Sequence, residues 1–418
     1  MTTLAIFLFS FFLVGGVYTA ALSNAIDIKV IFGLFFYSLP TVAVCIYMYS
    51  TRKPVTMGPF RSMKYVYALL LLLLMGVLYS TDMLYGFYKI YETVRNLLIS
   101  VILVQNVSSP RLWKKLLKYC AVINIPIAFF IVGRYMQIGF FDFTMFGNPI
   151  GVSEYLALSN IAALCYYSGN KERRGSLFLL LVTTLPAILV QLICTSRGPL
   201  MAMFFCFGLW LFLFSKIGAF KKTLIVGCLA VALAAAAQSA SFGTLNKFMK
   251  LSQAEGLEAD TYDRSAGVRL LMNLDALNEF RDASHLHHLL GFGTGSFKAL
   301  GFFTTDDEGE LIAHEYPHNI LIEALYENGA VGVVLLLWTY LYVFKTLRQV
   351  RKSPNPYRLY GVLISVFGCL VSMFSGNIAD NHWIWLGVIM AQKALILPEE
   401  TSEEPAPTGC RNPAVLGA

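Results

Sequence analysis

The sequence has little charge. Only 14% of its 418 residues are Asp, Glu, Lys or Arg, against about 25% in an ordinary soluble domain. That excludes the two or three soluble domains that length alone would allow. Cysteine occurs eight times, scattered and with no CxxC spacing, so neither a thiolate metal cluster nor a disulfide framework is expected. The glycine run Gly291-Phe292-Gly293-Thr294-Gly295 lacks the Lys-Ser/Thr ending and the preceding strand of a phosphate loop, which excludes a nucleotide site of that kind and leaves a tight turn. The first apolar run, residues 3–22, lacks a basic flank. It is therefore predicted to be a retained helix rather than a cleaved signal peptide.

What is present is oil. Hydrophobic residues make up 57% of the chain and the mean hydropathy is +0.62. Apolar runs lie at 3–22, 30–50, 65–79, 97–107, 121–132, 156–167, 177–194, 200–214, 224–237, 320–344, 360–374 and 382–397. Completed by less apolar flanks such as 86–96 and 148–154, they predict an all-α polytopic membrane protein with about 12 transmembrane helices. The net charge of +7 is a topology signal, not a nucleic-acid one. Basic clusters at 52–64, 111–118, 171–174, 216–222 and 345–358 all fall on one side when the N-terminus is cytoplasmic. The predicted organisation is residues 1–237 as helices one to nine, 238–317 as one large periplasmic loop containing short helices, 318–397 as helices ten to twelve, and 398–418 as a disordered, Glu- and Pro-rich cytoplasmic tail.

Within the loop, residues 246–252 read as an interfacial helix, and 267–280 as a helix with Val268, Leu271, Leu274 and Leu277 on one stripe. The acidic run Asp306, Asp307, Glu308 and Glu310 does not match a calcium loop and reads as a solvated tip. His285, His287 and His288 cluster without a matched carboxylate pattern, so no metal site is assigned to them. His314-Glu315-Tyr316-Pro317-His318 has the letters of the HExxH zinc motif, but Pro317 argues against both histidines facing one metal from a helix interior. Asp380, Asn381 and His382 form the last outer turn.

The chemistry concentrates on that outer side. His318-Asn319 opens an apolar helix, followed after nine residues by Gly329 and then by Gly332. The two glycines are predicted to share a face and let helices pack closely. Arg134, Arg197, Arg264 and Arg269 run against the topological bias, so each is a candidate for an anionic partner. Arginine suits a diphosphate because its planar fork donates two charge-assisted hydrogen bonds and stays protonated. A neutral histidine nearby can take a proton from an attacking hydroxyl. Together they point to transfer of a group from a lipid-linked diphosphate to an alcohol. The structural alternatives are a snorkelling Arg197, surface charges at Arg264 and Arg269, and a helix-start hydrogen bond for His318.

The His318-Asn319, Gly329, Gly332 pattern resembles the signature of the O-antigen ligase and O-antigen polymerase superfamily of bacterial envelope glycosyltransferases. So do Arg269 with its helix, the segment Leu289-Leu290-Gly291-Phe292-Gly293-Thr294-Gly295-Ser296-Phe297, and Ser196-Arg197-Gly198-Pro199. The resemblance implies a metal-independent, inverting transfer at the periplasmic face of the inner membrane, in lipopolysaccharide biosynthesis, with no cofactor. The donor it implies is a glycan on undecaprenyl diphosphate. The acceptor is lipid A-core in the ligases and a second lipid-linked repeat unit in the polymerases. By the same resemblance His318 activates the acceptor hydroxyl and Arg197 and Arg269 engage the diphosphate. Arg264, Arg134, Asn319 and His314 are expected to bind substrate. The ligase-type arginine, three residues, leucine pattern is not clean here, since Arg197 leads to Met201 and Arg269 to Asn273. Ligase is favoured slightly, with polymerases of O-antigen, capsule or exopolysaccharide next. A transporter of the lipid-linked glycan is the alternative from another class. It is disfavoured because the sequence shows no half-to-half repeat and its polar groups gather at one face.

Overall fold

The computed structural model describes residues 64–215 and 264–396, apart from residues 108, 147, 170–172, 195, 302, 306–310, 314, 353–354 and 380, and a few isolated residues elsewhere. Most of the run expected at 3–22, all of those at 30–50 and 224–237, the helix at 246–252, the acidic run, His314, Asp380 and the tail lie outside the described residues.

Among the described residues the protein is α-helical, with one small hairpin. In chain order the helices are α1 (Lys64–Val77), α2 (Met83–Asn106), α3 (Pro110–Ile123), α4 (Ile125–Ile138), the single turn α5 (Phe143–Phe146), α6 (Pro149–Gly169), α7 (Arg173–Ile193) and α8 (Arg197–Leu209). After the undescribed stretch come α9 (Arg264–Arg281), α10 (His285–Leu290), the hairpin of β1 (Phe303–Thr305) and β2 (Leu311–Ala313), then α11 (Ile320–Lys352), α12 (Pro356–Phe374) and α13 (His382–Ile396). The strands pair antiparallel, with Thr304 opposite Ile312.

The boundaries follow local chemistry. Ser109 and Asn355 cap helices that open on Pro110 and Pro356, positions where a missing N–H does no harm. Asp82 accepts from Tyr85 N at 3.0 Å and caps α2. Asn124 separates α3 from α4, and its amide donates to Ser159 Oγ at 2.9 Å. α12 is enclosed by α13, α8, α6 and α11. Its Gly361 and Gly368 lie against the backbone of α13, and Gly387 of α13 lies against Gly361 and Ser365. Small residues thus let these two helices touch backbone to backbone. The main apolar core runs through α1, α3, α6, α8, α11, α12 and α13. A second cluster joins α4 to α7 through Ile127, Ile131, Phe146 and Val190.

The expectation of about 12 spans is corrected. Among the described residues four helices are long and apolar enough to cross a membrane: Pro110–Ile138, Arg174–Ile193, Ile320–Lys352 and Pro356–Phe374. The physical reasons are local. The run at 65–79 gives a 14-residue helix, short of the roughly 20 residues a span needs. The 24 residues of α2 carry Lys89, Glu92 and Arg95 in one stretch. The basic cluster at 111–118, expected in a connection, is the helix α3 and runs into the next apolar segment. Nor is the expected periplasmic loop of short helices identified. The described part of that segment opens with an 18-residue helix, adds a β-hairpin, and packs α9 and α10 onto α11.

Candidate functional site

α11 begins at the polar pair singled out from the sequence. Asn319 is the cap: its Oδ1 accepts from Leu321 N at 3.0 Å and Ile322 N at 3.3 Å, satisfying donors that a helix start leaves open. His318 precedes it with φ = 57°, the one positive φ among the described non-glycine residues. That region is unfavourable for a side chain with a Cβ, by about 1–3 kcal/mol. Tyr316 packs against the imidazole, ring centroids 4.5 Å apart. His318 therefore sits before the helix, not within it. Glu315, which the zinc-motif letters would make a base, pairs with Lys298 at 2.8 Å.

Further along, α11 is broken. Gly329 has φ 63° and ψ −162° inside the helix, values open only to glycine. The carbonyls freed just before the break are taken by the glycine turn: Phe292 N donates to Tyr326 O and Gly293 N to Glu327 O, both at 2.9 Å. A Cβ on Gly329 would run into the backbone of Leu289 and Gly291. The predicted shared packing face of Gly329 and Gly332 is thus corrected: Gly329 is a break, and Gly332 lies against Asn328 and Ala324 of its own helix. The turn also holds the α1–α2 corner. Thr294 Oγ1 donates to Leu73 O at 2.8 Å, and Tyr79 OH donates to Leu290 O at 2.7 Å. Burial pushes the Tyr79 phenol up.

Between His318 and the break lies a cluster that the sequence reading passed over. Lys89 of α2 forms ion pairs with Glu323 and with Glu327 of α11, the latter at 2.7 Å. The side chains of the pair members are 4% and 0% exposed. Glu323 and Glu327 are four apart and so share one helix face. The signal was present: two acids in an apolar run, and a lysine in the flank of another, are costly in oil unless they meet. Glu323 Oε2 also accepts from Ile378 N at 2.9 Å, and Asn96 of α2 donates to Ala379 O at 3.2 Å. The connection from α12 to α13 is thereby tied to the start of α11 and to α2.

The end of α12, just before that connection, meets one of the expected arginines and the helix that another begins. Arg269 of α9 donates through Nη1 to Phe374 O at 2.9 Å, at the end of α12. Arg197 is the first residue of α8, and the next residue, Gly198, has the Phe374 side chain within 3.1 Å of where its Cβ would be. Arg197 at the start of α8 and Arg269 within α9, 72 positions apart in sequence, thus lie on helices that meet at the end of α12. Arg264 begins α9, about one and a half turns before Arg269. Arg134 is held elsewhere: it pairs with Asp142 at 3.3 Å, beside the second apolar cluster. The histidines of α10 are built into packing. His287 stacks on Phe292, which stacks on Tyr326, and His288 Nε2 lies 2.8 Å from Phe280 O.

The described residues link a strained histidine at the start of α11, a buried ion cluster in its first turns, and the end of α12, where Arg269 donates to Phe374 O. Comparison with curated proteins finds no match. Residues 179–337, which include Arg197, Arg269, His318 and Gly329, match the family described as O-antigen ligase.

Proposed function

We propose that this membrane protein is a glycosyltransferase of the O-antigen ligase type, acting on a glycan carried by undecaprenyl diphosphate at the periplasmic face. The family match over residues 179–337 carries the reading, because it covers the residues with the right chemistry. Arg197 and Arg269 hold the diphosphate and stabilise the charge that grows on it as it leaves. His318 takes the proton of the acceptor hydroxyl. The acceptor oxygen bonds to the anomeric carbon on the face opposite the diphosphate. The carbon–oxygen bond to phosphate breaks, and undecaprenyl diphosphate departs with the electron pair. Arg264, Arg134, Asn319 and His314 are proposed substrate contacts of lower rank. Arg134 and Asn319 already serve Asp142 and the α11 cap.

The proposed acceptor is lipid A-core. A second lipid-linked repeat unit, which would make the protein a polymerase, is the next reading. It is favoured by the absence of a leucine four residues after Arg197 or Arg269. In either case the arginines supply the positive charge, so a chelator leaves the transfer rate unchanged. The direct test is His318→Ala in purified protein. Loss of the base should lower transfer by about 10²–10⁴-fold while binding of the lipid-linked donor persists. Undiminished transfer in that variant would remove His318 from the chemistry.

A further inference from the structure

His318 keeps an unfavourable backbone conformation, and such a conformation persists only where the surroundings over-determine it. Electrostatic ties lie on both sides of it in sequence, and both lead to α2. Downstream, Glu323 in the first turn of α11 pairs with Lys89. Upstream, Glu315 pairs with Lys298, whose ammonium stands 4.6 Å from the Tyr85 ring centroid. The Lys89 ammonium stands 5.6 Å from the centroid of the same ring. Tyr85 and Lys89 are neighbours on one face of α2, four residues apart. Glu323 adds the third link, accepting from Ile378 N four residues beyond the carbonyl that receives Arg269.

We infer that Lys89, with Glu323 and Glu327, is a positioning site that fixes the His318 turn relative to the Arg269 end of α12. The inference rests on the transfer reading above and deepens it. Lys89 is buried among the acids, so it acts through His318 and Arg269, not on substrate. Two carboxylates and one ammonium in a water-excluded site demand close geometry, because a small separation leaves a charge unpaired. That demand makes the cluster a stiff clamp. Transfer chemistry needs such stiffness, since the hydroxyl, the anomeric carbon and the leaving diphosphate must line up.

The test compares full-length protein in lipid with the variant Lys89→Met/Glu323→Gln/Glu327→Gln. Replacing the whole cluster by neutral groups of similar shape avoids an orphaned buried charge, so the fold survives. A lipid-linked diphosphate glycan is the donor, and binding sites per protein are counted alongside kcat and KM. The expected result is an unchanged number of donor sites and unchanged donor KM, with kcat lower by about 100-fold. Lys89→Arg, which keeps the charge, should recover most of the rate. A kcat equal to that of the unmodified protein overturns the inference. So does a fall in donor sites that accounts for the whole loss, since that is a folding role alone. Absence of transfer by the unmodified protein overturns the transfer reading itself, and this assignment with it.

Discussion

At the scale of the residue, His318 combines an ionisable ring with a backbone angle of 57°. Glycine has no Cβ to clash there, so His318→Gly should stabilise the protein by about 1 kcal/mol and raise its melting temperature while abolishing transfer. A lowered melting temperature would mean that the ring's packing on Tyr316 outweighs the strain. Arg269 differs in kind. One Nη holds Phe374 O at 2.9 Å, which orients the guanidinium. Arg269→Lys keeps the charge but loses the fork. Donor KM should therefore rise by about tenfold or more, from loss of one charge-assisted hydrogen bond. An unchanged KM would separate Arg269 from the diphosphate. The sequence pointed to both residues by chemical type, since a histidine and outer arginines have few uses in oil. It could not show the φ of His318 or the carbonyl that Arg269 meets, because both depend on segments far away in the chain.

At the scale of the element, α11 joins the parts through its break. Gly329 has a left-handed φ and backbone neighbours where a side chain would stand. Gly329→Ala should destabilise the protein by about 2–4 kcal/mol, from backbone strain plus overpacking. A thermal melt on detergent-solubilised protein reads this directly; a shift no larger than that of Gly133→Ala, where a Cβ meets nothing within 4 Å, would contradict it. The glycines at 291–295 were legible as a tight turn. Their partner was not, because spacing three apart made Gly329 and Gly332 look like one packing face. The Lys89–Glu323–Glu327 cluster was half legible. Charges in apolar runs were visible, but nothing local pairs residue 89 with residues more than 230 positions away.

At the scale of the molecule, hydropathy identified a helical membrane protein and overcounted the spans among the described residues. It took apolar runs one at a time. Four of the described helices have the length and composition to cross, while others are short or carry charge that pairs inside the protein. The strands at 303–305 and 311–313 carry no periodicity long enough to be read in advance. Segments from α2, α8, α9, α11 and α12 meet around Phe374 and Ile378. Contacts from five separate segments fix this part of the fold with rigid helices rather than with loops.

The central claim is glycan transfer with His318 as base. The measurement that tests it most directly uses purified protein in lipid, an undecaprenyl-diphosphate glycan, and two acceptors in parallel, lipid A-core and a second lipid-linked repeat unit. The account predicts glycan joined to lipid A-core, released undecaprenyl diphosphate in equal amount, and loss of both in His318→Ala. A ladder of lengthened lipid-linked glycan would keep the chemistry and change the acceptor. Movement of intact donor across the bilayer, with no product on either acceptor, would contradict the account.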